Sequence, residues 1–314
     1  MKLIIDAMGG DNAPLEIVKG ALSGQKRWGV DVTLTGDTAA ILQALEACGE
    51  KTLPQGMEIV HTTETVEMCD DPATVFRRKK DTSMGVGLTM LRDGRADAMV
   101  SAGSTGALLT GATLIVKRIR GIRRAAMAPV IPTTTGQAVL IDCGANAECT
   151  PEYLVQFAYL GSYYAHRVLG VERPRVGLLN IGAEDSKGTD LQKETLRWLR
   201  EAHTAGHLNF IGNIEAKEAI KGGCDVIVCD GFSGNVLLKT MEGVGSFAGS
   251  ALKAMFKKNL LTKLAAVMVS GGLKRFKKLM DSSEVGGTAL VGISKTVIKA
   301  HGSSNAYAFQ TVSY

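Results

Sequence analysis

Five short apolar runs in this chain each end in a polar residue followed by a turn of small residues that carries glycine. Leu3-Ile4-Ile5 leads to Asp6 and then Gly9, Gly10 and Asp11. Ala98-Met99-Val100 leads to Ser101 and then Gly103, Ser104, Thr105 and Gly106. Val139-Leu140-Ile141 leads to Asp142, Cys143, Gly144 and Asn146, and Gly177-Leu178-Leu179 to Asn180, Gly182, Glu184 and Asp185. Val226-Ile227-Val228-Cys229 leads to Asp230, Gly231, Phe232, Ser233, Gly234 and Asn235. Each run is too short for a helix and reads as a strand buried on both faces. The polar residues then fall at the carboxyl ends of strands, where an open α/β sheet binds its ligands. Small residues also serve merely to make tight turns, but five such ends together point to a site.

The strand-like segments lie near 2–5, 32–35, 57–60, 97–100, 138–141, 175–179, 208–211 and 225–229, with helical patterns between them. That alternation is the βαβ signature of a mostly parallel sheet with helices on both faces. One helix start is well marked: Thr150 at the N-cap, Pro151 at the first helical position and Glu152 at the positive dipole end. The apolar stripe Leu154, Phe157, Ala158 and Leu160 then runs towards Gly170. Residues around Gly286-Gly287-Thr288 suggest a final short strand or hairpin. No low-complexity linker interrupts the 314 residues, so we expect one α/β domain over 1–314 with a helical element protruding at 243–281.

The turns have the chemistry of anion sites. Gly103-Ser104-Thr105-Gly106 opens an apolar helix start, so unpaired backbone N–H groups, two hydroxyls and a helix dipole converge there. Ser233-Gly234-Asn235 repeats the design, and Gly9-Gly10-Asp11 before Pro14 is a third case. Phosphate fits these features best. None of the turns is G-x-G-x-x-G or G-x-x-x-x-G-K-[ST], so neither a dinucleotide fingerprint nor a P-loop is present, and an NAD-dependent dehydrogenase is the weaker reading. Ala102-Gly103-Ser104-Thr105-Gly106 approaches a nucleophile elbow, with Ser104, Asp230 and His301 in hydrolase order; alanine in place of the first glycine weakens that match. Lys187, beside Glu184 and Asp185, is placed to neutralise a phosphate or a developing oxyanion, although such a loop alone is equally a solvated surface. His301 is either a structural histidine or a proton carrier.

Six cysteines (Cys48, Cys69, Cys143, Cys149, Cys224, Cys229) contain no C-x-x-C pair, which argues against a zinc ribbon, a redox motif or a disulfide framework. The chain enters its first strand directly after Met1-Lys2, without room for a signal segment, and a cytoplasmic location is expected. The net charge of +5 is modest, but it is concentrated in Arg77-Arg78-Lys79-Lys80, in Lys117 to Arg124, and in Lys253 to Lys278.

Taken in order, the stretches Ile5 to Pro14, Ser101 to Leu108, Gly177 to Gly182, Asp230 to Val236 and Lys299 to Ser304 resemble the bacterial acyl-acyl-carrier-protein:phosphate acyltransferase family, nearly end to end. The resemblance implies attack of inorganic phosphate on a fatty acyl thioester of acyl carrier protein, giving acyl phosphate for phospholipid synthesis. It further implies a homodimer of an isopropylmalate-dehydrogenase-like, three-layer α/β/α fold with a mostly parallel mixed sheet and no metal or nucleotide cofactor. Relatives usually continue through another helix after the region of His301-Gly302-Ser303-Ser304, a departure that bears on terminal packing. On this reading Gly103, Ser104, Thr105, Gly106, Ser233, Gly234 and Asn235 hold phosphate. Lys187 and Asn146 stabilise the oxyanion, Asp230, Glu184 or His301 manages the proton, and Asp6, Gly9, Gly10, Asp11 and Asn180 line the substrate site.

Between Glu242 and Asp281 no acidic residue occurs, while eight lysines and arginines interleave with apolar residues. This reads as a basic amphipathic hairpin of two helices broken at Ser270-Gly271-Gly272. Either it packs on the core with a solvated basic face, or Phe256, Leu260, Leu261, Leu264, Val267 and Met268 contact an anionic membrane surface peripherally. A membrane-attached scaffold is the non-enzymatic alternative. Arg77, Arg78, Lys79, Arg123 and Arg124 are candidates for steering the acidic carrier protein. Nucleic acid is a poorer partner, because aromatics are sparse among the basic residues.

Overall fold

The computed structural model describes residues 1–273 and 287–312. The chain divides into two compact units, one of Met1–Pro129 with Val285–Tyr314 and one of Val130–Glu284.

The first unit holds a seven-stranded sheet in the order β3-β2-β1-β4-β12-β11-β5. Its strands are β1 (Lys2–Asp6), β2 (Asp31–Gly36), β3 (Met57–His61), β4 (Ala98–Ser101), β5 (Ala126–Ala128), β11 (Gly287–Val291) and β12 (Thr296–Ala300). β1, β2, β3, β4 and β12 run parallel, while β11 is antiparallel to both β12 and β5. Because successive strand side chains point to opposite faces, Leu3 and Ile5 of β1 enter one core and Ile4 the other. On the first face lie α1 (Leu15–Trp28), α2 (Thr38–Ala47) and the terminal helix α11 (Ala306–Val312), whose Phe309 is fully buried. On the second face, after the short α3 (Val75–Arg78), lie α4 (Ser83–Arg92) and α5 (Thr105–Gly111), which runs on into a π-helical turn at Ala112–Val116. These are the three layers expected of a βαβ chain.

The second unit holds a five-stranded sheet, β6-β7-β10-β8-β9. Its strands are β6 (Val130–Thr133), β7 (Gly136–Ile141), β8 (Arg175–Leu179), β9 (Asn209–Ile214) and β10 (Val226–Val228), parallel except for β6. The five apolar runs are therefore all strands, but two serve one sheet and three the other. Helices α6 (Pro151–Leu169), α7 (Asp190–Thr204) and α8 (Ala216–Ile220) alternate with these strands. α6 starts and stops where its sequence signals place it, with Pro151 in its first turn and Gly170 left-handed at its end, although the Thr150 side chain makes no cap bond. Its buried stripe includes Leu154, Phe157 and Ala158; full burial of a side chain the size of Phe157 contributes roughly 1.5–3 kcal/mol.

The long α9 (Gly231–Lys257) buries only Gly231, Gly234 and Gly245. It is followed by α10 (Leu260–Met268), which buries nothing. A break falls between them at Lys258-Asn259, and α10 itself ends at a turn at Val269, one residue before the expected Ser270-Gly271-Gly272, with residues 270–273 helical. Asn259 is the reason for the break: its side chain accepts the Thr262 N–H at 2.9 Å while Thr262 Oγ1 accepts the Asn259 N–H at 3.0 Å, a reciprocal cap that starts a new helix. The remainder of the expected hairpin, 274–281, lies outside the described residues. Among the described residues no helix is long and apolar enough to cross a membrane.

Candidate active site

In the first unit β1 pairs with β2 on one side and β4 on the other, so the strand order reverses at the β1–β4 crevice. That is where doubly wound sheets bind ligands. Three strand-end loops meet there: 6–14 after β1, 101–106 after β4, and 301–305 after β12, the parallel neighbour of β4. Asp11 N donates to Gly302 O at 2.9 Å. Gly9 lies so close to the β4 turn that a Cβ there would stand 2.7 Å from Gly103 N and 2.6 Å from Asp6 Oδ2, so only glycine lets the two turns touch.

Asp6 is buried, and both of its carboxylate oxygens are filled from within. Ser83 Oγ donates to Oδ1 at 2.6 Å and Ser101 Oγ to Oδ2 at 2.7 Å, with Met8 N at 3.3 Å from Oδ1. Burial pushes the carboxyl above its ordinary value, and the hydrogen bonds from Ser101, Ser83 and the Met8 and Gly9 amides oppose that shift. Lys299, also buried, donates from Nζ to the carbonyls of Ala102, at 3.2 Å, and Ala300. Ser83 and Lys299 were not among the sequence candidates. A lysine inside the apolar strand Thr-Val-Ile-Lys-Ala was the available signal, whereas nothing local marks Ser83.

The β4 turn leads directly into α5. Gly103 N turns inward to Ser101 Oγ at 3.1 Å, and Ser104 caps α5 by accepting the Ala107 N–H at 3.5 Å. The amides of Ser104, Thr105 and Gly106 have no hydrogen-bond partner among the described residues, and Thr105 and Gly106 are half-buried. Three unpaired donors at a helix start are chemically able to hold an anion. His301 is exposed beside this loop system, its Nδ1 2.9 Å from Ser303 Oγ and accepting Ser303 N at 3.3 Å. No bond joins His301 to Ser104, so the nucleophile–base contact that a serine hydrolase requires is not formed.

In the second unit the adjacent parallel strands β7, β10 and β8 bring the loops at 142–146, 229–235 and 180–188 to one sheet edge. Asp142, fully buried, accepts N–H bonds from Cys143 at 2.7 Å, Ala145 at 3.3 Å and Asn146 at 2.6 Å, and from Asn146 Nδ2 at 3.0 Å. It shapes the turn that carries Asn146, a role not assigned from sequence. The start of α9 differs from that of α5. Asp230 caps it, accepting from Ser233 N at 2.8 Å and Ser233 Oγ at 2.9 Å, while Gly231 N donates to Asn146 O and Gly234 N to Asp230 O. The donors at Ser233 and Gly234 are thus already paired, next to a carboxylate, whereas those of the α5 turn are unpaired.

Lys187 and Glu184 are exposed in a loop whose backbone is pinned. Asn180 Oδ1 accepts the Ile181 N–H at 2.8 Å and its Nδ2 donates to Lys187 O at 3.2 Å; Asn213 Nδ2 donates to Glu184 O at 3.1 Å. Asp185 pairs with Arg200. Among the described residues the Lys187 ammonium has no acidic partner. The cysteines near this edge are unsuited to nucleophilic work: burial pushes the Cys143 thiol up to about 12 and Cys229 well above its ordinary value.

Of the basic candidates, Arg77 and Arg78 are exposed at the end of α3. Lys79 is held by Asp70 at 2.6 Å and Thr65 O at 3.1 Å. Arg123 accepts on its carbonyl from Arg118 Nη1 at 2.6 Å, and its side chain and that of Arg124 lie at the surface. On α10, Leu260, Leu261, Leu264, Val267 and Met268 are all exposed, the last by 87%, while Phe256 on α9 is half-buried.

The protein-family model described as fatty acid synthesis protein matches residues 1–312. A phosphate acyltransferase of Thermoanaerobacterium thermosaccharolyticum is 45% identical over 308 residues, covering 98% of this chain and 90% of its own length. One from Thermoanaerobacter pseudethanolicus is 47% identical over 309 residues, with the same coverage. Among solved structures, a phosphotransacetylase from Streptococcus pyogenes superposes with a TM-score of 0.69 at 18% identity, over 100% of this chain and 92% of that one. A putative 4-hydroxythreonine-4-phosphate dehydrogenase from Salmonella typhimurium gives 0.56 at 13% identity, over 100% and 98%. Those two likenesses establish a shared fold, and a dehydrogenase reading has that alone to rest on. The sequence relatives are far nearer and cover nearly the whole chain: it belongs to the phosphate acyltransferase family and is an acyltransferase.

Proposed function

We propose that the chain transfers a long-chain fatty acyl group from acyl carrier protein to inorganic phosphate, forming acyl phosphate for phosphatidic acid and phospholipid synthesis. The observation that carries this reading is the set of unpaired amides at Ser104, Thr105 and Gly106, a cradle for phosphate as the attacking group. A phosphate oxygen adds to the thioester carbonyl, the C–S bond breaks, and the departing thiolate takes up the proton that phosphate gives. Lys187 and Asn146 stabilise the oxyanion of the addition step. His301 suits the proton transfer best, because its Nδ1 is set by Ser303 and its Nε2 has no partner among the described residues. Asp230 acts foremost as the α9 cap, and Glu184 is the remaining acid. Arg77 and Arg78 steer the acidic carrier protein, and the active assembly is a homodimer.

The purified protein is expected to release thiol from palmitoyl-acyl carrier protein only when inorganic phosphate is added, with a product that hydroxylamine traps. Free fatty acid formed without phosphate would sink the assignment. Thr105→Pro is the selective variant, since proline suits the first helical position and removes one amide donor. Loss of a hydrogen bond to a charged group should raise the KM for phosphate by roughly 10- to 100-fold while α5 still forms. Arg77→Glu with Arg78→Glu should slow the carrier-bound substrate more than an acyl pantetheine.

α10 makes the peripheral membrane contact. Its stripe Leu260, Leu261, Leu264, Val267 and Met268 recurs at helical spacing, is exposed, and is accompanied by Lys257, Lys258 and Lys263 without acidic residues. Co-sedimentation with phosphatidylglycerol vesicles is expected, with little on neutral phosphatidylcholine and loss in Leu261→Glu with Leu264→Glu. Equal binding of parent and variant would refute this contact.

A further inference from the structure

The β4 turn owes the direction of its three unpaired amides to groups beneath it that cannot themselves touch a ligand. The peptide that joins Ala102 to Gly103 is tied down at both its N–H and its carbonyl. Its N–H is held by Ser101 Oγ, which in turn donates to Asp6 Oδ2, and the Ala102 carbonyl accepts from Lys299 Nζ. The two anchors come from the strands flanking β4: Asp6 ends β1, and Lys299 stands in register with Ser101 on β12. Gly9 presses against the same peptide, so the turn has no room to rotate.

Resting on the phosphate reading above, we propose that Asp6, acting through Ser101, and Lys299, acting through the Ala102 carbonyl, are positioning residues that aim the amides of Ser104, Thr105 and Gly106 at phosphate. Asp6 is only 1% exposed, and the relay from carboxylate to hydroxyl to amide links it to the Gly103 peptide. An acid at the floor of an anion site is otherwise a liability, through burial of an ionisable group and repulsion of the ligand. Its retention there is explained if it fixes the Ser101 hydroxyl so that the oxygen accepts from Gly103 N. Lys299 Nζ adds a buried donor that holds the carbonyl of the same peptide.

The contrast between Ser101 and Ser83 makes this testable, because both donate to Asp6 and both are buried, but only Ser101 continues to Gly103. Full-length Ser101→Ala, Ser83→Ala, Asp6→Asn and Lys299→Met variants are compared by melting temperature with and without inorganic phosphate, and by kcat and KM for phosphate. Ser83→Ala forfeits one buried hydrogen bond and Ser101→Ala two, so both should lose stability, Ser101→Ala the more. The KM for phosphate should rise by about tenfold in Ser101→Ala and in Lys299→Met, and less than twofold in Ser83→Ala. Thermal protection by phosphate should weaken in the same order. Asp6→Asn exchanges one acceptor oxygen for an N–H donor that faces the donors of Ser83, Ser101 and Met8, so it should lower the melting temperature and also raise the KM. In the double variant Asp6→Asn with Ser101→Ala the two KM effects should be less than additive. Equal KM changes in Ser83→Ala and Ser101→Ala, or melting shifts without any change in KM, would reduce the relay to a packing role and overturn the proposal. Thr105→Pro separates the two levels. If it leaves the phosphate KM untouched, the phosphate cradle itself is wrong; if it raises KM while the variants beneath the turn do not, the relay alone is wrong.

Discussion

Gly234→Ala is expected to lower the melting temperature by roughly 10 °C, or to prevent folded protein from accumulating, whereas Gly243→Ala in the same helix should raise it slightly. A Cβ on Gly234 would lie 2.0 Å from the Asp142 carbonyl oxygen and 2.8 Å from Cys229 Sγ. The obstacle is backbone at the end of a buried parallel strand, and that carbonyl also accepts the Cys229 thiol at 3.3 Å. It cannot rotate away as a side-chain tip does, so either α9 shifts or the β7 turn opens. Overpacking of this kind costs about 3 kcal/mol or more, and each kcal/mol is about 2–4 °C for a unit of this size. At Gly243 a Cβ meets nothing within 4 Å. There alanine simply restores helix propensity, worth about 0.5–1 kcal/mol. Thermal unfolding of the two variants beside the parent checks both signs, and a melting point for Gly234→Ala within 2 °C of the parent would contradict the packing described.

Lys187→Ala should lower kcat by about 100-fold, the scale seen when one donor to an oxyanion is removed, with a melting temperature close to that of the parent. The structure separates these effects because the loop does not depend on the side chain. Asn180 and Asn213 hold its backbone, Arg200 holds Asp185, and the Lys187 ammonium has no acidic partner among the described residues. Exposed substitutions of this kind usually change stability by less than about 0.5 kcal/mol. Stopped thiol-release assays with saturating phosphate would measure kcat. A kcat within threefold of the parent would return Lys187 to the solvated surface.

The strands were legible because a parallel sheet covered on both faces writes itself as short continuous apolar runs, and β1, β4, β7, β8 and β10 are such runs. β5 and β6 were not. They are three and four residues long, straddle Pro129 and contain Pro132. They exist because β11 and β7, distant or antiparallel partners, pair with them, which leaves no local period to read. The division into two sheets was equally hidden, since an apolar run carries no mark of which sheet it joins.

At the candidate site, the sequence could not say which donors of the turns were already occupied. Gly103 and Ser104 look equivalent in the turn 103–106, yet the first turns its N–H to Ser101 and the second has no partner for its own among the described residues. Ser233 and Gly234 resemble them in sequence and differ only because Asp230 and its carbonyl reach them first. Occupancy of a backbone amide is settled by tertiary geometry. Asn180, singled out as a substrate contact, ties its own loop instead of standing open towards a ligand.

The placement of β12 between β4 and β11 sets a timetable for the chain during its synthesis. The strands β3, β2, β1 and β4 emerge early, but β4 keeps a bare edge until residues 296–300 arrive to pair with it, after the whole of 130–284 has been made. The second unit is contiguous in sequence and needs no such wait. An unpaired edge of Ala98-Met99-Val100 is an invitation to wrong partners, and the β4 turn that follows it lacks its Lys299 anchor for just as long. A nascent chain interrupted before its last strands would therefore hold a finished second unit while the β4 turn of the first is still unanchored.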